Sequence, residues 1–270
     1  MVQSYSTVLT IAGSDGSGGA GIQADLKTFA ALGCYGLSVI TAVTSQNTTG
    51  VKEIMVLEPH SLFSQFRAVA SDIAIDAVKI GMTGGEESIK TIASLIRELP
   101  GNPPVILDTV LGSSGGKMFL TKKAIAVMRD ELFPLTALVT PNLPEAAVLA
   151  GLENIPGSIE EIEEAAALIS VSGAPAVLVK GGHGTGTRSS DCLLWNASFS
   201  WHSTEKVDTP NTHGTGCTLS SAIAAHMAKG CDCPQAVTQA KVYVTEALKA
   251  GGAYRLGHGI GPLHHLFSLW

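Results

Sequence analysis

Charged residues are scarce in this sequence, and positive charge is scarcer than negative charge. Lys and Arg number 17 of the 270 residues against 23 Asp and Glu, which gives a formal net charge of −6. The sequence contains no basic stripe and no extended run of Lys and Arg. Because nucleic acids and anionic membrane surfaces attract clustered positive charge, neither is expected as the main partner of this chain.

Segments that would direct the chain into a membrane or a secretory route are also missing. The N-terminal residues show no basic region followed by an apolar one, so no secretory signal is predicted. No apolar run approaches the roughly 20 residues that span a bilayer. The five cysteines are an odd number, and in a chain without a signal they indicate a reducing, cytoplasmic setting.

Two familiar site motifs are absent as well. The pattern G-x-x-x-x-G-K-[ST] does not occur, so a phosphoryl-transfer enzyme with this sequence would not be a P-loop protein. The pairs Cys231/Cys233 and His264/His265 lack the spacing of a zinc site. Both pairs are therefore expected at the surface rather than at a metal.

What the chain does contain is a regular alternation of apolar strands and amphipathic helices, with 45% hydrophobic residues to form a core. Strands are predicted at 7–11, 36–44, 51–57, 77–82, 105–110, 138–140, 176–180, 191–195 and 199–207. Helices are predicted from about Ile22, at 59–71, 86–99, 122–132 and 158–171, and twice near the C-terminus. This order predicts an α/β fold with a mostly parallel central sheet and helices on both faces. No linker or repeat interrupts it, so one domain over residues 1–270 is expected.

The most informative stretch is a glycine-rich turn that runs directly into a helical pattern at residues 211–220. Gly214 and Gly216 have no side chains, so an anion can approach the amides of this turn closely. The first turn of a helix has N–H groups without a helical partner and carries partial positive charge. Cys217 stands where an acceptor group would meet that anion. The turn therefore favours stabilisation of a phosphoryl group during transfer.

Five apolar runs end in polar or glycine-rich loops, and in a parallel sheet these loops emerge at the same edge. Asp108 and Glu145 follow two of the runs and are candidates for holding Mg²⁺, which prefers hard oxygen ligands. Asn142 is a candidate for a phosphate or a metal-bound water. Lys180 can place a point charge on nucleotide phosphates. Each residue alone is more often a helix cap or a solvated strand end, but together with the turn they favour a site.

Two other motifs lead to rival interpretations. Residues 16–21 fit the dinucleotide pattern G-x-G-x-x-G, but the acidic residue expected about 20 positions later is missing. Residues 112–116 fit G-x-S-x-G, which would make Ser114 the nucleophile of a serine hydrolase, with Asp191 and His202 following in triad order. His213 is expected to be a structural hydrogen-bonding residue, and so is His183.

In combination, the motifs resemble those of the hydroxymethylpyrimidine/phosphomethylpyrimidine kinase family of thiamine biosynthesis, from about residue 8 to the C-terminus. The motifs that carry the resemblance are residues 13–25, 41–48, 80–82, 107–110, 140–146, 179–183, 211–220 and 259–265. The resemblance implies a ribokinase-like fold, which is a three-layer α/β/α sandwich. It also implies ATP and Mg²⁺ as co-substrates, a small pyrimidine alcohol as acceptor, and a homodimer.

The resemblance also implies roles for individual residues. It places Gln46 on the pyrimidine ring and Cys217 beside the accepting hydroxyl. From the geometry of the turn, the Gly214, Thr215 and Gly216 amides are expected around the phosphoryl group. The other residues implied to surround the pyrimidine are Gly13, Ala20, Asp25, Met82 and Val110. The resemblance places Asn142, Glu145 and Lys180 on the nucleotide and metal side. Asp108 is expected at the metal with Glu145, and Thr212 at the nucleotide.

The chain departs from the family pattern at Gly16, where the family usually has Pro, and at the loop 112–117, where Lys117 lies later than the usual Lys. Cys217 is expected to accept or to orient the proton of the substrate hydroxyl. A thiol at a helix N-terminus can have its pKa lowered, which favours a thiolate base here. Pyridoxal kinase remains the nearest alternative, because its reaction is of the same class with a different ring.

Overall fold

The computed structural model describes residues 4–112, 118–182 and 187–270. Nine strands form one sheet. The strands are β1 (Thr7–Asp15), β2 (Tyr35–Asn47), β3 (Gly50–Val56), β4 (Ala77–Ile80), β5 (Val105–Leu107), β6 (Leu138–Val139), β7 (Val177–Val179), β8 (Arg188–Trp195) and β9 (Ser198–Glu205). The helices are α1 (Gly21–Ala31), α2 (Pro59–Ala70), α3 (Glu86–Arg97), α4 (Lys122–Glu131), α5 (Leu143–Ala150), α6 (Ile159–Val171), α7 (Thr215–Ala228) and α8 (Cys233–Gly251).

The order of the strands across the sheet is β3-β2-β1-β4-β5-β6-β7-β8-β9. The strands from β2 to β7 in this order pair in parallel, whereas β3, β8 and β9 add antiparallel edges. The strand order reverses between β1 and β4. In open α/β sheets ligands bind outside the carboxyl ends of the strands at such a reversal, so this topology places a crevice beside the ends of β1 and β4.

Side chains of the parallel strands alternate between two hydrophobic cores, as the two-residue period of a strand requires. Leu9 of β1 faces a core shared with α2 to α6. Its neighbour Val8 faces a second core shared with α1, α7 and α8. The sheet is therefore the middle layer of a three-layer α/β/α sandwich, which confirms the fold class predicted from the sequence.

The predicted elements are present, with differences at their ends. The strands β4, β5 and β6 stop sooner than predicted, so Asp108 lies just beyond β5 rather than within it. The helix α6 begins with a capping box, in which Ser158 and Glu161 cap each other. The helix α5 was not predicted, although its capping box of Asn142 and Glu145 follows the same rule. Among the described residues, no helix combines the length and apolar character needed to cross a membrane.

The expectation that the two Cys and His pairs lie at the surface is wrong for one member of each pair. Cys233 and His265 are each 4% exposed, because Cys233 starts the buried face of α8 and His265 packs on α7. Within the described ranges, no cluster of three or more His, Cys, Asp or Glu has the arrangement of a metal site.

Candidate active site

The glycine-rich turn leads into the N-terminus of α7, as the sequence predicts. Gly214 is the N-cap residue and has a left-handed backbone with φ of 83°. A Cβ at this position would collide with the carbonyl oxygen of Gly19, so only glycine fits. The amides of Thr215, Gly216 and Cys217 belong to the first helical turn, where N–H groups have no helical acceptor. The amide of Thr215 donates to the carbonyl oxygen of Thr212 at 3.3 Å, so Gly216 and Cys217 supply the donors that a ligand can use. The turn thus presents main-chain donors at the positive end of a 14-residue helix.

Long-range hydrogen bonds hold this turn in place. Nδ2 of Asn211 donates to the carbonyl oxygens of Gly251 and Tyr254, each at 2.7 Å. The amide of His213 donates to the carbonyl oxygen of Gly261 at 3.0 Å. These contacts tie the turn to the end of α8 and to the C-terminal segment, so its amides keep a fixed direction.

An ion pair lies directly beside the turn. Nζ of Lys180 is 2.7 Å from Oδ1 of Asp108, and both side chains are largely buried. A Cβ on Gly216 would lie 3.3 Å from Nζ of Lys180. The parallel strands β5 and β7 place the pair here, because Asp108 and Lys180 each follow the carboxyl end of their strand. A lysine ammonium and the amides of a helix N-terminus therefore converge on one point.

Both members of this pair remain charged. Burial would raise the pKa of Asp108, but the ammonium groups of Lys180 and Lys79 hold it below its usual value. Burial would lower the pKa of Lys180, but the carboxylates of Asp108 and Glu145 raise it instead. The site therefore offers fixed charge of both signs near neutral pH.

Glu145 lies next to this pair and caps α5. Its Oε2 accepts from the amide of Asn142 at 2.8 Å, and its amide donates to Oδ1 of Asn142 at 2.9 Å. Burial, together with the charge of Asp108, raises the pKa of the Glu145 carboxyl, against the lowering effect of Lys180. Two carboxyl groups that repel each other in a buried place form a suitable donor set for a divalent cation.

The thiol of Cys217 lies between the start of α7 and the start of α1. Burial raises its pKa to about 11, and Asp108 and Asp25 add to the increase, while Lys79 and a hydrogen bond from the Gly21 amide oppose it. The expected lowering of the Cys217 pKa is therefore wrong. Burial and the two carboxylates outweigh Lys79 and the Gly21 amide, so Cys217 is a neutral thiol near neutral pH.

Below Cys217 lies a buried charge network that the sequence did not reveal. Nζ of Lys79 is 2.9 Å from both carboxylate oxygens of Asp25, and neither side chain is exposed. Thr10 and Ser221 each donate to this carboxylate at 2.6 Å. The alternation of β4 could have indicated Lys79, because it is the one charged residue within an apolar strand.

The first loop, after β1, closes the other side of the site. Asp15 accepts hydrogen bonds from the amide of Ala20 at 2.9 Å and from Nε2 of His213 at 2.8 Å. Burial would raise the pKa of Asp15, but hydrogen bonds from His213 and Ser17 lower it to about 2. Nε2 of Gln46, near the end of β2, is 3.2 Å from Nε2 of His213. Asp15 and His213 therefore connect three segments that are far apart in sequence.

Most of the predicted residues lie near the carboxyl edge of the parallel strands. A Cβ on Gly13 would be 3.1 Å from Sδ of Met82, so these two residues touch. Val110 lies two residues beyond Asp108 and is partly buried, and Thr212 is an exposed member of the glycine turn. Asp25 differs, because its carboxylate lies in the interior and is held by protein groups on both oxygens. Its contact with a substrate stays a prediction.

The arrangement required by a hydrolase triad is not found among the described residues. Asp191 accepts from the amide of Gly181 at 2.9 Å and from Nζ of Lys241 at 2.7 Å. Nδ1 of His202 is 3.0 Å from Oγ1 of Thr238. Both groups are thus occupied elsewhere. Three residues with predicted roles lie outside the described ranges, namely Ser114, Lys117 and His183.

The similarity to known proteins agrees with this geometry. The sequence model of the phosphomethylpyrimidine kinase family matches residues 15–264. Hydroxymethylpyrimidine/phosphomethylpyrimidine kinase from Rhizobium meliloti is 45% identical over 97% of each chain. The protein of that name from Escherichia coli is 42% identical over 97% of this chain and 98% of its own length.

Solved structures show the same fold, one of them with bound ligands. Pyridoxal kinase from Staphylococcus aureus in complex with AMP-PCP and pyridoxal has a TM-score of 0.90 at 34% identity, covering 99% of this chain and 96% of its own. Phosphomethylpyrimidine kinase from Clostridium difficile has a TM-score of 0.78 at 40% identity, covering 90% of this chain and 99% of its own. With a family match that spans nearly the whole sequence and a site of phosphate-binding geometry, this chain belongs to the phosphomethylpyrimidine kinase family.

Proposed function

We propose that this protein transfers the terminal phosphoryl group of ATP to the hydroxyl of 4-amino-5-hydroxymethyl-2-methylpyrimidine, and then phosphorylates the monophosphate to the diphosphate. The observation that carries this proposal is the Asp108–Lys180 ion pair at 2.7 Å, which lies beside the open amides of the α7 turn. Phosphoryl transfer depends mainly on positioning and on stabilisation of charge on the phosphoryl oxygens. A cation and fixed amide dipoles at one point supply both.

The phosphate-facing groups have separate roles in this proposal. The amides of Gly214 to Cys217 bind the moving phosphoryl group, and Lys180 neutralises the phosphates of the nucleotide. Thr212 and Asn142 flank these phosphates. Asp108 and Glu145 would hold Mg²⁺, which supplies further positive charge to the phosphate oxygens when it is bound. Their buried, mutually repelling carboxyl groups fit this ion, which keeps several of its own waters.

The acceptor side is formed by the first loop, β2 and the loop after β4. Gln46 binds the ring, and the other residues that we assign around it are Gly13, Ala20, Asp25, Met82 and Val110. Cys217 lies next to the accepting hydroxyl. Because its thiol is neutral in this environment, we assign it the orientation of that hydroxyl rather than the initial removal of its proton.

A test of substrate is the release of ADP from Mg·ATP with a panel of hydroxymethylpyrimidine, its monophosphate and pyridoxal. We expect turnover with the first two compounds and, for each, a phosphorylated product that mass spectrometry identifies. No ADP release above the rate of ATP hydrolysis with either pyrimidine would contradict the proposal.

Pyridoxal kinase activity is a second candidate. The pyridoxal kinase of Staphylococcus aureus superposes on 99% of this chain with a TM-score of 0.90, so a pyridine ring can be accommodated by the same architecture. Comparison of kcat/KM for pyridoxal and hydroxymethylpyrimidine separates a main from a side reaction. A ratio above one in favour of pyridoxal would reverse the two assignments.

Cys217 can be tested by Cys217→Ser and Cys217→Ala. An orienting role predicts that Ser retains most of kcat, since a hydroxyl can make the same hydrogen bond, and that Ala loses about tenfold. An unchanged kcat in the Ala variant would remove Cys217 from the mechanism.

We also propose that residues 1–270 act as one kinase domain. Two copies of this domain are proposed to form a homodimer through the outer strands of the sheet. On β2 and β3, Val43 is 41% exposed, Met55 58% and Val56 45%. Exposed apolar side chains on these two outer strands favour association with another protein surface. Light scattering after gel filtration measures the mass, and Met55→Lys is expected to shift a dimer to a monomer.

A further inference from the structure

A row of three polar side chains crosses the site from the first loop to β2. Asp15 lies at one end, His213 in the middle and Gln46 at the other end. Nε2 of His213 is 2.8 Å from Oδ2 of Asp15 and 3.2 Å from Nε2 of Gln46. The three residues are brought together only by the fold, since 198 positions separate Asp15 from His213 and 167 separate Gln46 from His213.

The proton on His213 is located by the partners of Asp15. The carboxylate of Asp15 accepts from the amide and hydroxyl of Ser17, at 2.9 and 2.7 Å, and from the amide of Ala20, at 2.9 Å. A carboxylate surrounded by donors is an acceptor only. Nε2 of His213 must therefore carry the proton that it shares with Asp15.

This proton decides which end of the Gln46 carboxamide faces His213. Nε2 of His213 donates its one proton to Asp15 and has no lone pair left to accept from Gln46. The oxygen of Gln46 can share that proton in a three-centre hydrogen bond, whereas the Gln46 N–H would face another N–H. On the other side, the hydroxyl of Thr44 donates to the carbonyl oxygen of Ser14 at 2.9 Å and is 3.3 Å from the Gln46 amide. The single proton of Thr44 is used, so Thr44 can only accept from Gln46. Rotating the carboxamide by 180° exchanges its oxygen and nitrogen and satisfies both neighbours.

We propose that His213, held by Asp15, is a positioning residue that fixes the direction of the Gln46 carboxamide toward the ring of the substrate. In this direction Gln46 offers the ring one free N–H and the second lone pair of its oxygen. That order of donor and acceptor matches a ring nitrogen next to an exocyclic amine. The inference rests on the proposed function and adds a determinant of substrate specificity to it.

A merely structural role for His213 is the alternative that a test must exclude. A Cβ on Gly19 would lie too close to the His213 ring, and the backbone of His213 bonds to Gly261 at 3.0 Å. Loss of packing alone would disturb the neighbouring Gly214 turn and thereby change kcat and the KM for ATP. Loss of orientation acts through Gln46 and changes the KM for the pyrimidine.

The experiment compares steady-state kinetics of the wild type with His213→Phe, His213→Gln, Gln46→Ala and the double variant His213→Phe/Gln46→Ala. His213→Phe is expected to raise the pyrimidine KM about tenfold, with kcat and the ATP KM changed less than about twofold. His213→Gln restores an N–H and is expected to recover most of the loss. In the double variant the two effects should not multiply, because His213 acts through Gln46. The exposed His60 provides the control His60→Phe, which should behave as wild type.

Three results would overturn the inference while leaving the proposed function intact. These are multiplicative effects of the two substitutions, equal changes in the KM for ATP and for the pyrimidine, and no rescue by Gln. If His213→Phe does not fold, Asp15→Asn is the second variant, and it should raise the pyrimidine KM in the same direction. Absence of turnover by the wild type with both pyrimidines would instead overturn the proposed function.

Discussion

Two buried histidines predict that the protein loses stability in mild acid. Burial, followed by the charge of Lys229, lowers the pKa of His226 to about 4. Burial, followed by the charge of Lys27, lowers the pKa of His265 to about 4. The two side chains are 7% and 4% exposed. His226 lies in the last turn of α7 and His265 contacts Thr218 near its start. The N-terminus of α7 forms the anion-binding turn, so protonation of these histidines bears on the site as well as on the fold.

The size of the effect follows from the difference in pKa between the folded and unfolded chain. An unfolded histidine has a pKa of about 6.5, so between about pH 6.5 and pH 4 the unfolded state binds more protons than the folded state. The free energy of unfolding therefore falls as the pH falls through this window. At pH 5 each histidine lowers it by about 2 kcal/mol relative to pH 7.5, and the pair by about 4 kcal/mol. Many domains have only about 5–15 kcal/mol in total.

Urea unfolding at pH 7.5 and pH 5, followed by circular dichroism, measures this loss in the wild type and in His226→Leu and His265→Gln. Within the described part of the chain, Nε2 of His226 has no hydrogen-bond partner, so Leu removes an unsatisfied polar atom. Oγ1 of Thr218 is 3.0 Å from Nε2 of His265, and a Gln amide can replace that contact.

Each variant should lose about 2 kcal/mol less than the wild type between the two pH values. The comparison of variants is needed because Glu145, whose pKa is raised, contributes in the opposite direction. An identical loss in the wild type and both variants would refute the reasoning.

Three further predictions concern the site. Gly214→Ala introduces a Cβ against the Gly19 carbonyl at a positive φ, and kcat is expected to fall by about 100-fold; an active Ala variant would show that the turn is not required. Lys79→Met leaves the Asp25 carboxylate buried without its partner, so urea unfolding should report a loss of about 3–5 kcal/mol, and Lys79→Met/Asp25→Asn a smaller one. Equal losses in these two variants would contradict the ion pair. The rate of alkylation of Cys217 by iodoacetamide is measured as the difference between the wild type and Cys217→Ala. This rate should rise only toward pH 11. A midpoint near pH 7 would instead show that Cys217 is a thiolate at neutral pH.

The positions of the site residues along the chain could largely be predicted because they depend on local patterns. Asp108 and Lys180 each follow a short apolar run, and the carboxyl ends of parallel strands share one edge of a sheet. Gly214 and Gly216 precede a helical pattern, which is enough to predict a helix N-terminus with open amides. These inferences need only periodicity and the geometry of a parallel sheet.

The ionisation and partners of the same residues could not be predicted in this way. The capping box of Asn142 and Glu145 obeys a local rule that could have been applied. In contrast, the pairing of Lys79 with Asp25 joins residues 54 positions apart. Desolvation of Cys217 depends on which carboxylates the fold brings near it. No local pattern contains that information.

The sequence by itself determined most of the strands and helices along the chain, with α5 as the exception, the sheet edge at which polar loops collect, and the glycine turn that can receive a phosphoryl group. It could do so because backbone geometry repeats with short periods that a single chain displays. Only the tertiary structure decided that Cys217 is a neutral thiol, that Lys180 forms an ion pair with Asp108, and that Asp15 and His213 lie beside Gln46. Those properties arise from burial and from contacts across more than 50 positions of chain, where charge and hydrogen bonding depend on neighbours in space rather than in sequence.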